Sequence, residues 1–245
     1  MTGVDVSILK RMFGDFMDAR QGRRASRELF EQQKMAIEEL FEADLTYLCE
    51  TFAGTPEALQ SESFPDYPGA VWMGSLGVKA FCVTQDVEVE QFPVYVNLVG
   101  AGRERVRSCQ FVRDGSIHAF LSGVDRYSGK QVSLLTNDVD LVRSISAAGF
   151  NPPPPWLAWY ELGALIYNLQ GDAQYWYENV WDRYWESLSL ADQDAFLDGR
   201  RSSAHAYLSE EEWADWIDTI RTRDARYRRR LRDEHPTVDG DEVGG

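Results

Sequence analysis

Apolar residues recur at helical spacing through the first fifty positions. Val6, Leu9, Phe13 and Phe16 form one face, with Met12 and Met17 beside them, before Gly22 and the arginines at 20, 23 and 24 interrupt it. A second, longer helix is predicted from a Ser26 cap, with Phe30, Ile37, Phe41, Leu45, Leu48 and Phe52 inward and Gly54 at its end. Thr55-Pro56-Glu57 reads as a fresh cap with proline in the first turn, and residues 61–69 as loop. From Ala70 the period becomes two. The predicted strands are 70–73, 78–84, 87–89, 94–99, 104–113, 117–122 and 132–135. Asp114-Gly115 suits a two-residue hairpin turn, because both positions tolerate a left-handed backbone, and Gly100-Ala101-Gly102 is expected to close the preceding hairpin. A short helix follows from Asn137, with Val139, Val142 and Ile145 inward and Gly149 beyond it.

The stiff run Pro152–Pro155 marks a boundary, after which every periodic segment is helical. Ser189 to Asp192 and Ser209 to Glu212 carry the serine-x-x-acid start signal and bracket a helix from about Leu190 to Ala206. A final helix repeats Trp213, Ile217, Ile220, Asp224, Tyr227 and Leu231 in steps of four and three, a seam in which Asp224 is the polar intruder. The predicted class is therefore α+β: an N-terminal helical hairpin (1–54), an antiparallel β-meander with a short helix (55–150), a Trp-rich helical subdomain (151–232) and a disordered tail (233–245).

Composition sharpens the last of these segments. Between Trp156 and Ile220 lie seven of the 8 tryptophans and six of the 11 tyrosines, with thirteen acids against three arginines. Seven arginines then follow between Arg221 and Arg232. Tyr177, Trp181, Tyr184, Trp185 and Leu188 share one side of a helix and read as core. Tyr175 and Trp176 fall off that stripe. With Asp172 and Glu178 they are the candidate partner-binding residues, since tyrosine and tryptophan anchor interfaces. The arginine run has charge partners in the acids upstream.

The formal net charge of −15 argues against general nucleic-acid binding and suits a basic protein partner or simple solubility. No apolar run reaches membrane-spanning length and no basic leader precedes an apolar segment, so the expected location is cytoplasmic, or within a virion. Cys49, Cys82 and Cys109 read as reduced thiols, and His118, His205 and His235 as structural, so neither a cofactor nor a metal site is expected from them.

One catalytic pattern is present. Met73-Gly74-Ser75 is followed by Asp86-Val87-Glu88-Val89, which resembles the signature of the nucleotidyltransferase superfamily. The resemblance implies that Asp86 and Glu88 would hold Mg²⁺ ions while Gly74 and Ser75 approach a nucleoside triphosphate. It covers only residues 73–89. The third carboxylate that the family carries between apolar neighbours has no counterpart: Glu104 stands between Arg103 and Arg105. On the other reading, Asp86, Glu88 and Glu90 are the outward side of a surface strand.

The function expected is non-enzymatic protein binding, as an inhibitor or immunity factor, an accessory subunit or an assembly component. A divergent Mg²⁺-dependent nucleotidyltransferase is one alternative, and a structural subunit of a viral or other large particle is another. Homo-oligomerisation is compatible with each.

Overall fold

The computed structural model describes residues 23–164 and 169–234. The helix expected over Val6–Phe16 and the tail from His235 onward lie outside them. Contacts divide the chain into two compact units, Met1–Asn151 and Pro152–Gly245.

In the first unit, α1 spans Arg23–Phe41 and α2 spans Leu45–Thr51. The long helix expected from Ser26 therefore starts earlier and is broken. Glu42 adopts a left-handed φ of 51°, and the Asp44 carboxylate accepts the Tyr47 N–H at 2.8 Å to start α2. Helix α2 ends at Thr51 with Phe52 as its C-cap, ahead of Gly54. Ile37, Phe41, Leu48 and Phe52 are buried, whereas Phe30 is 37% exposed.

Six antiparallel strands follow: β1 (Ala70–Trp72), β2 (Phe81–Glu88), β3 (Glu104–Arg105), β4 (Gln110–Arg113), β5 (Ile117–Arg126) and β6 (Gly129–Thr136). They lie in the order β1-β2-β6-β5-β4-β3. Strands β3 to β6 form a meander, and β2 pairs with β6 over eight residues instead of with β3. The departure from a consecutive meander comes from residues 92–100. They were expected as a strand and a hairpin turn, but form helix α3 (Phe92–Gly100) with proline in its first turn. Tyr95 and Val99, four apart, are both fully buried, while Val94 is 58% exposed. That is a helical burial pattern in a segment of β-forming residues, and packing overrides propensity.

The Asp114-Gly115 turn forms as expected, with φ of 53° and 68°. Helix α4 spans Val139–Ala147 and is capped by Asp138, not by Asn137. Asp138 also pairs with Arg103 and Arg113. Alternation on the strands separates two cores. Val83, Val87, Ala119, Val132 and Leu134 pack with α3, α4 and Phe150. Cys82, Phe120 and Leu135 pack with α1, α2, Met73 and Leu76. The unit is thus a sheet with helices on both faces, and the α+β class holds.

The second unit is helical in its described residues. It comprises the single turn α5 (Pro155–Ala158), α6 (Gly171–Trp176), a π-helical segment (Tyr177–Trp181), α7 (Asp182–Ser187), α8 (Leu190–Ala204), α9 (Glu210–Arg223) and α10 (Ala225–Glu234). Ser189 and Ser209 cap α8 and α9 as expected, and Ser209 with Glu212 completes a reciprocal capping box. The predicted terminal helix is two. At Asp224 the backbone leaves the helix (φ −76°, ψ 121°), and its carboxylate accepts the Arg226 N–H at 2.7 Å to begin α10.

Candidate functional site

Gly74 and Ser75 sit in a tight turn at the Phe81 end of β2, where Trp72 pairs with Phe81. A cleft of about 630 Å³ opens there, lined by Trp72, Lys79 and Glu57 as well as the Gly-Ser pair, with Lys79 and Glu57 ion-paired at 3.0 Å. A Cβ on Gly74 would overlap the Trp72 indole, so the turn needs glycine there. Asp86 and Glu88 are not in this lining. They lie five and seven residues along β2, about 17 and 23 Å away at ~3.3 Å per residue. A triphosphate held at Gly74 and Ser75 would have to reach metal ions bound about 2.1 Å from the Asp86 and Glu88 oxygens, and this separation prevents it, so the nucleotidyltransferase constellation does not assemble. Nor is this a surface strand. Asp86 is 2% and Glu88 6% exposed; both pair with β6, and Glu88 is engaged by the Asn151 side chain and backbone. Among the described residues no group of three His, Cys, Asp or Glu is placed to hold a metal ion.

The aromatic block is built around the π-helical segment. In an α-helix, residues five apart point about 140° away from one another, which put Trp176 off the stripe of Trp181 and Trp185. The i→i+5 bonding of the π-helix widens the turn and brings residues five apart over one another. Trp176 therefore stacks on Trp181 (6.0 Å between centroids, 15° between planes), and Trp181 on Trp185 (5.4 Å, 18°). All three are buried to 1% exposure or less. Burial pushes the Tyr177 hydroxyl pKa up, and the Arg223 guanidinium lies over the Tyr177 ring while pairing with Asp182 at 2.5 Å. Of the candidate contact residues, Trp176 thus belongs to the core and offers no surface. Tyr175 is half-buried, and Asp172 and Glu178 are exposed. The arginine run is partly absorbed within the unit, through Arg221 to Asp194 and Arg226 to Asp224.

A different surface of this unit emerges from residues that the periodicity did not single out. A groove of about 450 Å³ runs between the Tyr160–Ala164 segment and the start of α9. Thr219 on α9 donates to the Ala164 carbonyl at 2.9 Å and fixes that segment to the helix. Tyr160 and Leu162 are each 51% exposed beside it, and Tyr160 meets Tyr207 edge to face at 6.4 Å. Glu161, Glu212 and Asp215 contribute carboxylates, and the described lining holds no Lys or Arg. Glu212 is held below the usual carboxylate range, first by the Ser209 backbone N–H and then by its hydroxyl. Glu210 pairs with Arg201 and His205, whereas Glu161, Glu211, Asp215 and Asp218 pair with no cation among the described residues. The sequence signal for this surface was the spacing Glu211, Asp215, Asp218, one face of a helix.

No helix among the described residues is long and apolar enough to cross a membrane. Comparison with known proteins returns no match of any kind: no family model, no curated protein and no solved structure is similar to this chain.

Proposed function

We propose that this chain is a non-enzymatic protein-binding protein, acting as an inhibitor, immunity factor, accessory subunit or assembly component through the acidic face of its second unit. The observation that carries this reading is the groove beside α9, where half-exposed Tyr160 and Leu162 stand next to carboxylates that no cation among the described residues pairs with. Large amphipathic side chains at a surface supply contact area with little entropy loss on binding. Exposed Asp172 and Glu178, with Tyr175 between them, give the same unit a second acidic patch.

Affinity capture from the native host tests the reading. The full chain is compared with Y160S/L162S and with D172N/Y175A/E178Q, each checked for unchanged helical circular dichroism. A partner retained by the wild type and lost with either surface variant is the expected result. Partners captured equally by all three would overturn it. Mg²⁺-dependent turnover of a nucleoside triphosphate by the wild type, abolished by D86N or E88Q, would favour the enzymatic alternative instead.

A further inference from the structure

We propose that the groove beside α9 receives a basic amphipathic helix of a partner protein, with its apolar face on Tyr160 and Leu162 and its cations along Glu211, Asp215 and Asp218. This inference rests on the protein-binding reading and specifies the chemistry of the partner.

The groove supplies two parallel features. One is apolar: Tyr160 and Leu162 above a floor that includes buried Leu208 and Trp216. The other is a line of exposed carboxylates at positions i, i+4 and i+7 of α9, of which Asp215 lies in the groove wall. Like charges at these spacings repel one another in an isolated helix. Among the described residues no cation pairs with them, and the nearest arginine on the helix, Arg221, pairs with Asp194 at 2.5 Å. The acids are strung out along the helix, and no three of them gather as metal ligands, which points to an extended cationic partner and not to a metal ion.

The spacing selects a helix. Glu211 to Asp215 rises about 6 Å and Glu211 to Asp218 about 10.5 Å along the axis, at 1.5 Å per residue. A helix laid beside α9 repeats these intervals with Lys or Arg at i, i+4 and i+7. Its adjoining face then carries the apolar residues for the Tyr160–Leu162 ledge. An extended strand places same-side cations about 6.6 Å apart. It is out of step by the third, which falls at about 13 Å.

The test uses the full chain and a fluorescent 18-residue synthetic peptide. The peptide carries Arg at three positions spaced four and three apart, with Leu on the adjoining face. Two further probes are a scrambled peptide of identical composition and a version with Glu for Arg. Anisotropy titrations should show binding that weakens as NaCl is raised, because the charges are exposed. E211Q/D215N/D218N should weaken it about tenfold, as expected from losing three surface ion pairs, and L162S should weaken it as well. The scrambled and Glu-substituted peptides should bind at least about tenfold less tightly. No binding overturns the proposal. So does equal binding of the scrambled peptide, which would be charge attraction alone, or wild-type affinity in the triple variant. If host partners are captured through Tyr160 and Leu162 while the peptide fails, the protein-binding reading stands and the basic-helix partner does not.

Discussion

Asp224 carries a carboxylate that is 2% exposed, and nearly every contact it makes favours the ionised form. Gln193 donates to it at 2.8 Å, and Arg226 donates from its backbone N–H at 2.7 Å and its guanidinium at 2.6 Å. Burial alone would raise its pKa. The Arg226 and Gln193 hydrogen bonds outweigh burial and hold it at about 2, below the ordinary 3.8. A folded value below the unfolded one means that the charge stabilises the fold above the unfolded pKa. That contribution is lost as pH falls through the folded value. D224N should therefore lower stability at pH 7 by about 2 kcal/mol. It should also flatten the loss of stability between about pH 5 and pH 2. Urea titrations across that range check both. An acid limb as steep in D224N as in the wild type would show that the charge is not what stabilises. The sequence marked Asp224 as an intruder in an apolar seam. What it did not show was that the intruder ends one helix, starts the next and is buried against Gln193, thirty-one residues away.

At the scale of elements, the π-helical turn decides which tryptophans are core. Tyr177–Trp181 shifts the helix by one residue and so aligns Trp176, Trp181 and Trp185 in one stack. W181A should cost about 3–5 kcal/mol, the range for truncating a buried tryptophan. It should also remove the near-ultraviolet circular dichroism of the coupled indoles. Deleting Asn179 places Trp176 and Trp181 four apart, the α-helical stacking interval. That variant should keep the coupled signal, and its loss would mean that the π turn does more than set the phase. Ser209 offers a simpler case, since its hydroxyl accepts the Glu212 N–H at 3.2 Å while the Glu212 carboxylate accepts the Ser209 N–H at 2.8 Å. S209A should destabilise by about 0.5–2 kcal/mol in thermal or urea unfolding. Both serine caps were legible because capping is a local rule that acts over three residues. Helix α3 was not, because FPVYVNLVG satisfies strand and helix patterns alike. Only the pocket between β2, β5 and α4 selects Tyr95 and Val99 as the buried pair.

For the whole molecule the governing quantity is the net charge of −15. Much of it lies on exposed carboxylates, so self-repulsion opposes the compact state and salt should relieve it. Raising NaCl from about 10 to 300 mM shrinks the screening length from about 30 Å to below 8 Å. The melting temperature should rise over that interval, read by circular dichroism at constant pH. A fall would show that favourable ion pairs such as Arg223–Asp182 outweigh the repulsion. The sequence by itself determined the α+β class, the Asp114-Gly115 turn, the serine caps and the acidic, aromatic character of the second half. Each of these follows from composition or from rules that span a few neighbours. Only the tertiary structure decided that β2 pairs with β6, that Asp86 and Glu88 are buried far from Gly74 and Ser75, and that Trp176 is core. It also revealed Tyr160 and Leu162 beside the carboxylates of α9. These outcomes depend on which distant surfaces meet, and burial in a given place is a property of the fold, not of residue type or local period.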